Sequence, residues 1–233
     1  MNEKWITTWG NAISITERRP ENYAKNLTLR YPITIMLDAS AVRITLDNFC
    51  GNESVTITSA FLAKSDGANG IVPDTIVPLQ FNRNASVTIP AGERIKSDAV
   101  SFPIKRGEKL AVSLYFADFT EMRSGVMITG SMSQGYFAVG DQTQAEHLHP
   151  DTSKKTHTFY FLSDIEVLTN EKNRTVICFG DSITAQAWPD DLIQRVLKDG
   201  DGTTAIIRKA ASGTRILLSL IHISEPTRLA LIS

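Results

Sequence analysis

The chain has 233 residues, of which 42% are hydrophobic and 21% charged, a composition that excludes an intrinsically disordered protein. Its 24 lysines and arginines nearly balance its 25 aspartates and glutamates, so its net charge gives no reason to expect binding to nucleic acid or to an anionic membrane surface. The two cysteines, Cys50 and Cys178, lie far apart and fit neither a disulfide framework nor a paired-cysteine metal site.

The start of the chain shows no targeting signal. Met1–Trp5 lacks a basic stretch followed by an apolar core, and no later run approaches the ~20 apolar residues of a membrane span. These features predict a soluble, cytoplasmic protein without a membrane span, and they leave secretion of a longer parent protein open.

Residues 1–169 consist of short segments in which apolar and polar residues alternate, interrupted by turn-forming Gly, Asn, Asp and Pro. In Val42–Leu46 every second residue is apolar, which places these side chains on one face of a strand. Leu110–Phe116 alternates similarly, and no amphipathic helix is evident before Trp188. We therefore predict a β-sandwich of the jelly-roll type over residues 1–169.

The pattern changes after the polar stretch Asn170–Asn173. The continuous apolar run Thr175–Phe179 is typical of a strand that is buried on both faces of a parallel sheet. A helix is predicted from Trp188, because Pro189 suits a first turn and apolar residues then recur at helical spacing. With a second apolar run at Ala205–Ile207, these segments predict a strand–helix–strand unit of an α/β sheet.

The tripeptide Gly180-Asp181-Ser182 falls where the first of these strands ends and the chain turns toward the helix. Open α/β sheets place their functional sites at this edge. The same three residue types also form ordinary turns with a helix cap, so the tripeptide alone leaves a purely structural role open.

The sequence around this tripeptide, Val176–Thr184, resembles the first sequence block of the GDSL/SGNH hydrolases. Trp188–Leu192 is similar to the residues that follow in that family, and Ala211–Arg215 resembles its second block. That second block usually begins with Asn and an earlier Gly, where this chain has Arg208 and Ala210. The first block is the most specific part of the resemblance.

The front half resembles the accessory β-sandwich that precedes the hydrolase domain in part of the family, in Trp5–Trp9, Val87–Gly92 and Leu110–Tyr115. The resemblance therefore implies an α+β multidomain protein. Its accessory sandwich would occupy residues 1–169, and the N-terminal part of a flavodoxin-like α/β hydrolase domain would occupy residues 170–217. A complete domain of this kind has about five parallel strands, so we expect the chain to be truncated at its C-terminus.

The resemblance also implies a serine ester hydrolase that forms an acyl-enzyme. Ser182 takes the place of the nucleophile, Gly213 that of a backbone N–H donor to the oxyanion hole, and Asp181 supports the nucleophile loop. The implied substrates are small acyl esters, including O-acetyl esters of carbohydrates, and no metal or organic cofactor is implied. The family's Asp-x-x-His block and Asn block are not found in this sequence, so we expect the chain by itself to be inactive.

The four histidines are His147, His149, His157 and His222, and none lies in an Asp-x-x-His pattern. His147 and His149 could act as metal ligands on one face of a strand. Their polar neighbours favour a solvated loop instead, so we predict no metal site.

The alternative function is that of a non-catalytic carbohydrate-binding or interaction protein, with the β-sandwich as the binding module. Trp5 and Trp9 would then offer a platform for sugar rings, although ordinary packing is the more common role of large aromatics in a β-domain. Nothing in the sequence indicates an oligomeric state.

Residues 218–233 do not continue the family's pattern, and Leu218–Arg228 resembles the translation of a sequencing-library adapter. We therefore expect a non-native tail and leave it out of the fold prediction, which also removes His222 as the catalytic base. The alternative is a divergent helix with Leu218, Ile221 and Leu231 on its core side.

Overall fold

The computed structural model describes residues 2–15 and 23–214. The adapter-like tail, His222 and residues 215–217 of the predicted hydrolase segment lie outside the described residues. In chain order, the described elements are β1 (Glu3–Gly10), β2 (Ser14–Ile15), β3 (Tyr23–Ala24), β4 (Leu27–Thr34), β5 (Ala39–Asp47), β6 (Val55–Ile57), β7 (Ser59–Lys64), a 3-10 helix (Pro73–Thr75), β8 (Val77–Pro78), β9 (Val87–Ile89), β10 (Arg94–Lys96), β11 (Val100–Ile104), β12 (Lys109–Phe116), β13 (Thr120–Glu121), β14 (Ser124–Met127), β15 (Gly135–Val139), β16 (Lys154–Thr156), β17 (Thr158–Tyr160), β18 (Leu162–Asn170), β19 (Arg174–Gly180), α1 (Trp188–Asp199) and β20 (Thr204–Ala210).

Two large antiparallel sheets form the front of the molecule. The first has the strand order β1-β18-β5-β10, with β11 also paired to β5, and the second has the order β16-β15-β4-β12-β7-β8. Among the described residues, the shorter ladders β13-β3, β17-β14-β2 and β6-β9 account for the remaining antiparallel pairs of strands.

The two large sheets share one apolar core. Val42, Ile44 and Leu46 on β5 are fully buried, as their alternation predicted. Val112 and Leu114 on β12 are buried in the same cluster. Because alternate residues of a strand point to one face, the two sheets pack together through these inward faces.

The chain then forms one β–α–β unit. In the described part of the chain, β19 and β20 are the only parallel pair, and α1 connects them. The helix begins at Trp188, as predicted, with Pro189 in its first turn. Its partly buried side chains pack against the same core as the sandwich, through Leu192, Ile193, Val196 and Leu197. No helix among the described residues is long and apolar enough to cross a membrane.

The predicted flavodoxin-like α/β domain is wrong for the described residues, which are mostly β and contain a single α-helix. Two parallel strands and one helix do not enclose a core of their own, because a parallel sheet needs cover on both faces. The unit is instead packed on the sandwich: Cys178, Ala205 and Ile206 belong to the sandwich's core cluster. Thr175 also donates a hydrogen bond of 2.7 Å to the Thr7 carbonyl.

The expected burial of Thr175–Phe179 on both faces is also wrong. In β19 the side chains of Val176, Ile177 and Phe179 are exposed, whereas Cys178 is buried. The reason is topological: among the described strands β19 pairs with β20 alone, so its other flank is a sheet edge.

Candidate active site at the ends of two parallel strands

The two predicted site residues follow neighbouring strand ends. Gly180, the last residue of β19, lies opposite Ala210, the last residue of β20. Ser182 comes shortly after the first of these and Gly213 shortly after the second. The Ala211 N–H donates a hydrogen bond of 3.4 Å to the Gly180 carbonyl and links the two turns. The structure therefore brings the turns of Ser182 and Gly213 together at the carboxyl ends of the two parallel strands.

Asp181 stabilises the turn that carries Ser182. Its carboxylate accepts a hydrogen bond of 3.0 Å from the Ile183 N–H, and its carbonyl accepts one of 2.9 Å from the Ala185 N–H. The Asp181 side chain is exposed, whereas Ser182 is half-buried. These contacts suit the loop-supporting role that the resemblance implies for Asp181.

A close contact between Gly180 and Thr184 sets the shape of the same turn. A Cβ atom at Gly180 would lie 2.2 Å from the Thr184 hydroxyl oxygen, so this side chain packs directly over the glycine backbone. Thr184 is buried, and Ser182 lies between the two residues in sequence. A glycine at position 180 therefore permits the tight path that carries Ser182 off the end of the strand.

The second turn depends on the backbone conformation of Gly213. Its φ of +82° lies in the left-handed region, which glycine adopts without the steric cost that other residues meet. The Thr214 hydroxyl donates a hydrogen bond of 2.7 Å to the Ala211 carbonyl and closes the turn. A side chain at position 213 would strain this turn and move the N–H that is predicted to face the substrate.

A buried polar cluster connects α1, β20 and the segment around Ser133. Asp190 in the first turn of α1 and Arg208 in β20 are both buried, with 2.5 Å between their charged groups. Arg208 also donates a hydrogen bond of 3.0 Å to the Ser133 hydroxyl, which donates in turn to Asp190. The Met132 N–H completes the cluster with a 2.8 Å hydrogen bond to the Asp190 carboxylate. This cluster holds the helix that follows Ser182 against the strand that precedes Gly213.

This cluster was not predicted from the sequence, in which Arg208 stands out only as a departure from the family's second block. Two features of the sequence could have indicated it. Arg208 directly follows the apolar run Ala205–Ile207, and a charged side chain that is buried in such a strand needs an opposite charge. Asp190, in the first turn of the predicted helix, was an available partner.

A cavity of about 30 Å³ adjoins the cluster, and its lining includes Trp9, Met36, Asp190 and Arg208. This volume matches that of about one water molecule, so the cavity is too small for an ester substrate.

The structure does not bring a described histidine into hydrogen-bonding contact with Ser182. His147 forms an isolated bridge with Gly70 in the sandwich, and the His157 ring lies 3.0 Å from the Ser133 carbonyl oxygen. The His149 ring accepts a hydrogen bond from the backbone of its own turn. Within residues 2–15 and 23–214 there is also no group of three or more His, Cys, Asp or Glu side chains that could hold a metal ion.

Trp5 and Trp9 contact different neighbours. The Trp5 ring stacks with the Arg43 guanidinium at 4.2 Å, whereas Trp9 lies 5.5 Å from the Phe159 ring and packs against the core. Both rings thus make packing contacts, which are common for large aromatics in β-domains.

No known protein-family model matches the chain, and no curated protein matches it significantly. The family resemblance of Val176–Thr184 therefore stays a prediction.

Proposed function

We propose that the protein is a serine ester hydrolase in which the Ser182 hydroxyl attacks an ester carbonyl and forms an acyl-enzyme. One observation supports this proposal: the Ser182 and Gly213 turns lie next to each other at the carboxyl ends of β19 and β20. In this arrangement the backbone N–H groups of Ser182 and Gly213 stabilise the oxygen that becomes negatively charged. The substrates are small acyl esters, including O-acetyl esters of carbohydrates, and this choice is supported by the family resemblance alone.

The proposed chemistry needs a general base that the described residues do not place beside Ser182. A serine hydroxyl is a weak nucleophile at its free pKa, and a site that lacks triad members keeps only about 10³–10⁴-fold acceleration over water. We therefore expect the chain to hydrolyse an aryl acetate no faster than its Ser182→Ala variant. A decisive test must therefore show that residue 182 reacts as the nucleophile beside the oxyanion donors, in a reaction that needs no general base.

A cysteine at the nucleophile position provides such a test, because a thiol is a few per cent ionised near pH 7 and is intrinsically nucleophilic. The variants to compare are Ser182→Cys and Ser212→Cys, since Ser212 is an exposed serine in the neighbouring turn. Each variant is treated separately with an aryl thioester and with iodoacetamide. Acyl transfer passes through an oxyanion, whereas alkylation does not, so the ratio of the two rates reports oxyanion stabilisation.

The proposal predicts a ratio at least about tenfold higher for Ser182→Cys than for Ser212→Cys, since one oxyanion donor is commonly worth about 10²–10³ in rate. Equal ratios at the two positions would refute it. The two native thiols give little background, because both are buried. Burial raises the pKa of Cys50 to about 11 and also raises the pKa of Cys178, so less of each thiol is ionised near pH 7. The wild-type chain measures whatever background remains.

A further inference from the structure

One segment of the sandwich bonds to the turn that carries Ser182. It runs from Thr129 to Ser133, and we call it the 129–133 segment. The Thr129 N–H donates a hydrogen bond of 3.3 Å to the carbonyl of Ala185, three residues after Ser182. Ala185 is buried, and its own N–H donates to the Asp181 carbonyl at 2.9 Å. The sandwich is therefore bonded directly to the turn in which the proposed nucleophile lies.

The same segment packs closely against the first turn of α1. A Cβ atom at Gly130 would clash with the Asp190 carboxylate, so the backbone of the segment lies directly on that side chain. The Met132 N–H donates to this carboxylate at 2.8 Å, and the Ser133 hydroxyl donates to it at 3.2 Å. The 129–133 segment thus fits against the helix without room for a side chain at position 130.

The Ser133 hydroxyl connects the two turns of the candidate site. It donates to Asp190, which lies in the helix after the Ser182 turn. It also accepts a hydrogen bond of 3.0 Å from Arg208, which lies in the strand before the Gly213 turn. Ser133 is only 6% exposed, so little water reaches these bonds. One hydroxyl of the sandwich therefore bonds to both of the elements that lead to the proposed oxyanion donors.

His157 fixes the 129–133 segment to the sandwich. Its carbonyl accepts a hydrogen bond of 2.9 Å from the Ile128 N–H, and its ring lies 3.0 Å from the Ser133 carbonyl oxygen. His157 directly precedes β17, which pairs with β14. Both ends of the segment are therefore bonded to the sandwich, and a segment supported in this way can define the position of groups that pack against it.

We infer that Ser133 is a positioning residue of the proposed site, through which the 129–133 segment sets the distance between the Ser182 and Gly213 N–H groups. This inference rests on the proposed hydrolase function. Oxyanion donors act only when each lies roughly 2.7–3.1 Å from the oxygen that becomes negative. A misplacement of about 1 Å can cost about 10²-fold in rate, even when the changed residue is away from the reacting atoms. Loss of the Ser133 hydroxyl therefore slows acyl transfer and spares a reaction that forms no oxyanion.

The first test compares Ser133→Ala with Ser113→Ala in the Ser182→Cys background, by the rates of acylation with an aryl thioester and alkylation with iodoacetamide. Ser113, in β12, is the matched control. It is 2% exposed, and its hydroxyl also accepts a 3.0 Å hydrogen bond from a buried arginine, Arg30. We expect Ser133→Ala to lower the ratio of acyl transfer to alkylation by about tenfold or more. Ser113→Ala should leave it unchanged, although both variants lose a similar buried bond.

The second test changes the fit of the segment against α1. Gly130→Ala places a methyl group against the Asp190 carboxylate, and Gly70→Ala is the matched control because its methyl group meets the carboxylate of Asp66. Both variants are assayed in the same background, after near-UV circular dichroism has shown that each is folded. Only Gly130→Ala should lower the ratio. It should also speed amide hydrogen exchange at Ala185, a measurement that needs no acyl transfer.

The outcomes separate this inference from the proposed function. A ratio that is higher in Ser182→Cys than in Ser212→Cys, but that Ser133→Ala leaves unchanged, would overturn the inference alone. Equal effects of Ser133→Ala and Ser113→Ala would also overturn it. A ratio that is no higher in Ser182→Cys than in Ser212→Cys would overturn the proposed function, and this inference with it.

Discussion

The carboxylate of Asp190 and the guanidinium of Arg208 form a buried ion pair, 2.5 Å apart, between the first turn of α1 and the middle of β20. The two residues are 2% and 5% exposed, and the Ser133 hydroxyl bonds to both. This pair joins the helix that follows the Ser182 turn to the strand that precedes the Gly213 turn. The relative position of the two turns therefore depends on a contact between residues outside both turns.

Removal of one member of this pair should be strongly destabilising. Asp190→Ala leaves Arg208 as an uncompensated buried charge, and we expect the free energy of unfolding to fall by about 3–5 kcal/mol. Asp191→Ala is the matched control, because Asp191 is exposed in the same helical turn, and it should change stability by no more than about 0.5 kcal/mol. Urea unfolding measures both values, and similar losses in the two variants would contradict the structure.

Arg106 should stabilise the other end of the helix. Its guanidinium donates hydrogen bonds to the carbonyls of Leu197 (2.8 Å) and Val196 in the last turn of α1. Arg106→Ala should lower stability by about 1–2 kcal/mol and speed amide hydrogen exchange at the end of the helix, because these carbonyls and the negative end of the helix dipole lose a cation. Lys105→Ala removes only an exposed ion pair with Asp38 and serves as the control. If both variants exchanged equally, the helix end would not depend on Arg106.

The contribution of Glu166 to stability should depend on pH. Burial by itself raises the pKa of Glu166, but its contacts with Arg43 (3.0 Å) and Lys96 (2.5 Å) outweigh burial and hold the pKa below its ordinary value. A carboxyl group whose pKa is lower in the folded state stabilises the protein above its unfolded pKa of about 4.3, and this stability is lost as the pH falls through the folded pKa. The stability difference between wild type and Glu166→Gln should therefore be largest near neutral pH and shrink below pH ~4.3. A difference that is constant between neutral and strongly acidic pH would be inconsistent with this ion pair.

Gly213→Ala separates the structural requirement for glycine from its proposed role in the site. The φ of +82° at Gly213 should cost an alanine about 1–2 kcal/mol in stability. Gly140→Ala is the matched control, because Gly140 has a φ of +90° and no atom within 4 Å of an added Cβ. Both changes should therefore destabilise the chain to a similar degree.

Only one of these two changes should affect acyl transfer. In the Ser182→Cys background, Gly213→Ala should lower the rate of acyl transfer relative to alkylation by about tenfold or more, since it displaces a proposed oxyanion donor. Gly140→Ala should leave that ratio unchanged. An equal effect of the two changes would remove Gly213 from the proposed site while leaving its structural role intact.

Local patterns in the sequence predicted the elements whose form depends on their own residues. The alternation in Val42–Leu46 predicted a strand with one buried face, and Pro189 with the following apolar spacing predicted the helix from Trp188. Both predictions agree with the structure, because side-chain periodicity and first-turn preferences act over a few neighbouring residues. The position of Ser182 and Gly213 beyond two apolar strands was also predictable in this way.

Tertiary structure decided which residues are buried where this depends on the packing of one strand or helix against another. Thr175–Phe179 has the composition of a fully buried strand, yet its flank is exposed because its burial depends on neighbours in the sheet and not on its own residues. Arg208 seemed only a mismatch in the sequence, and its burial against Asp190 follows from the packing of α1 on β20. The sequence by itself thus determined several of the strands, the helix and the turn residues of the candidate site. Only the tertiary structure decided that the β–α–β unit packs on the sandwich. Two strands and one helix cannot bury their own apolar surface, so that surface is buried against the sandwich instead.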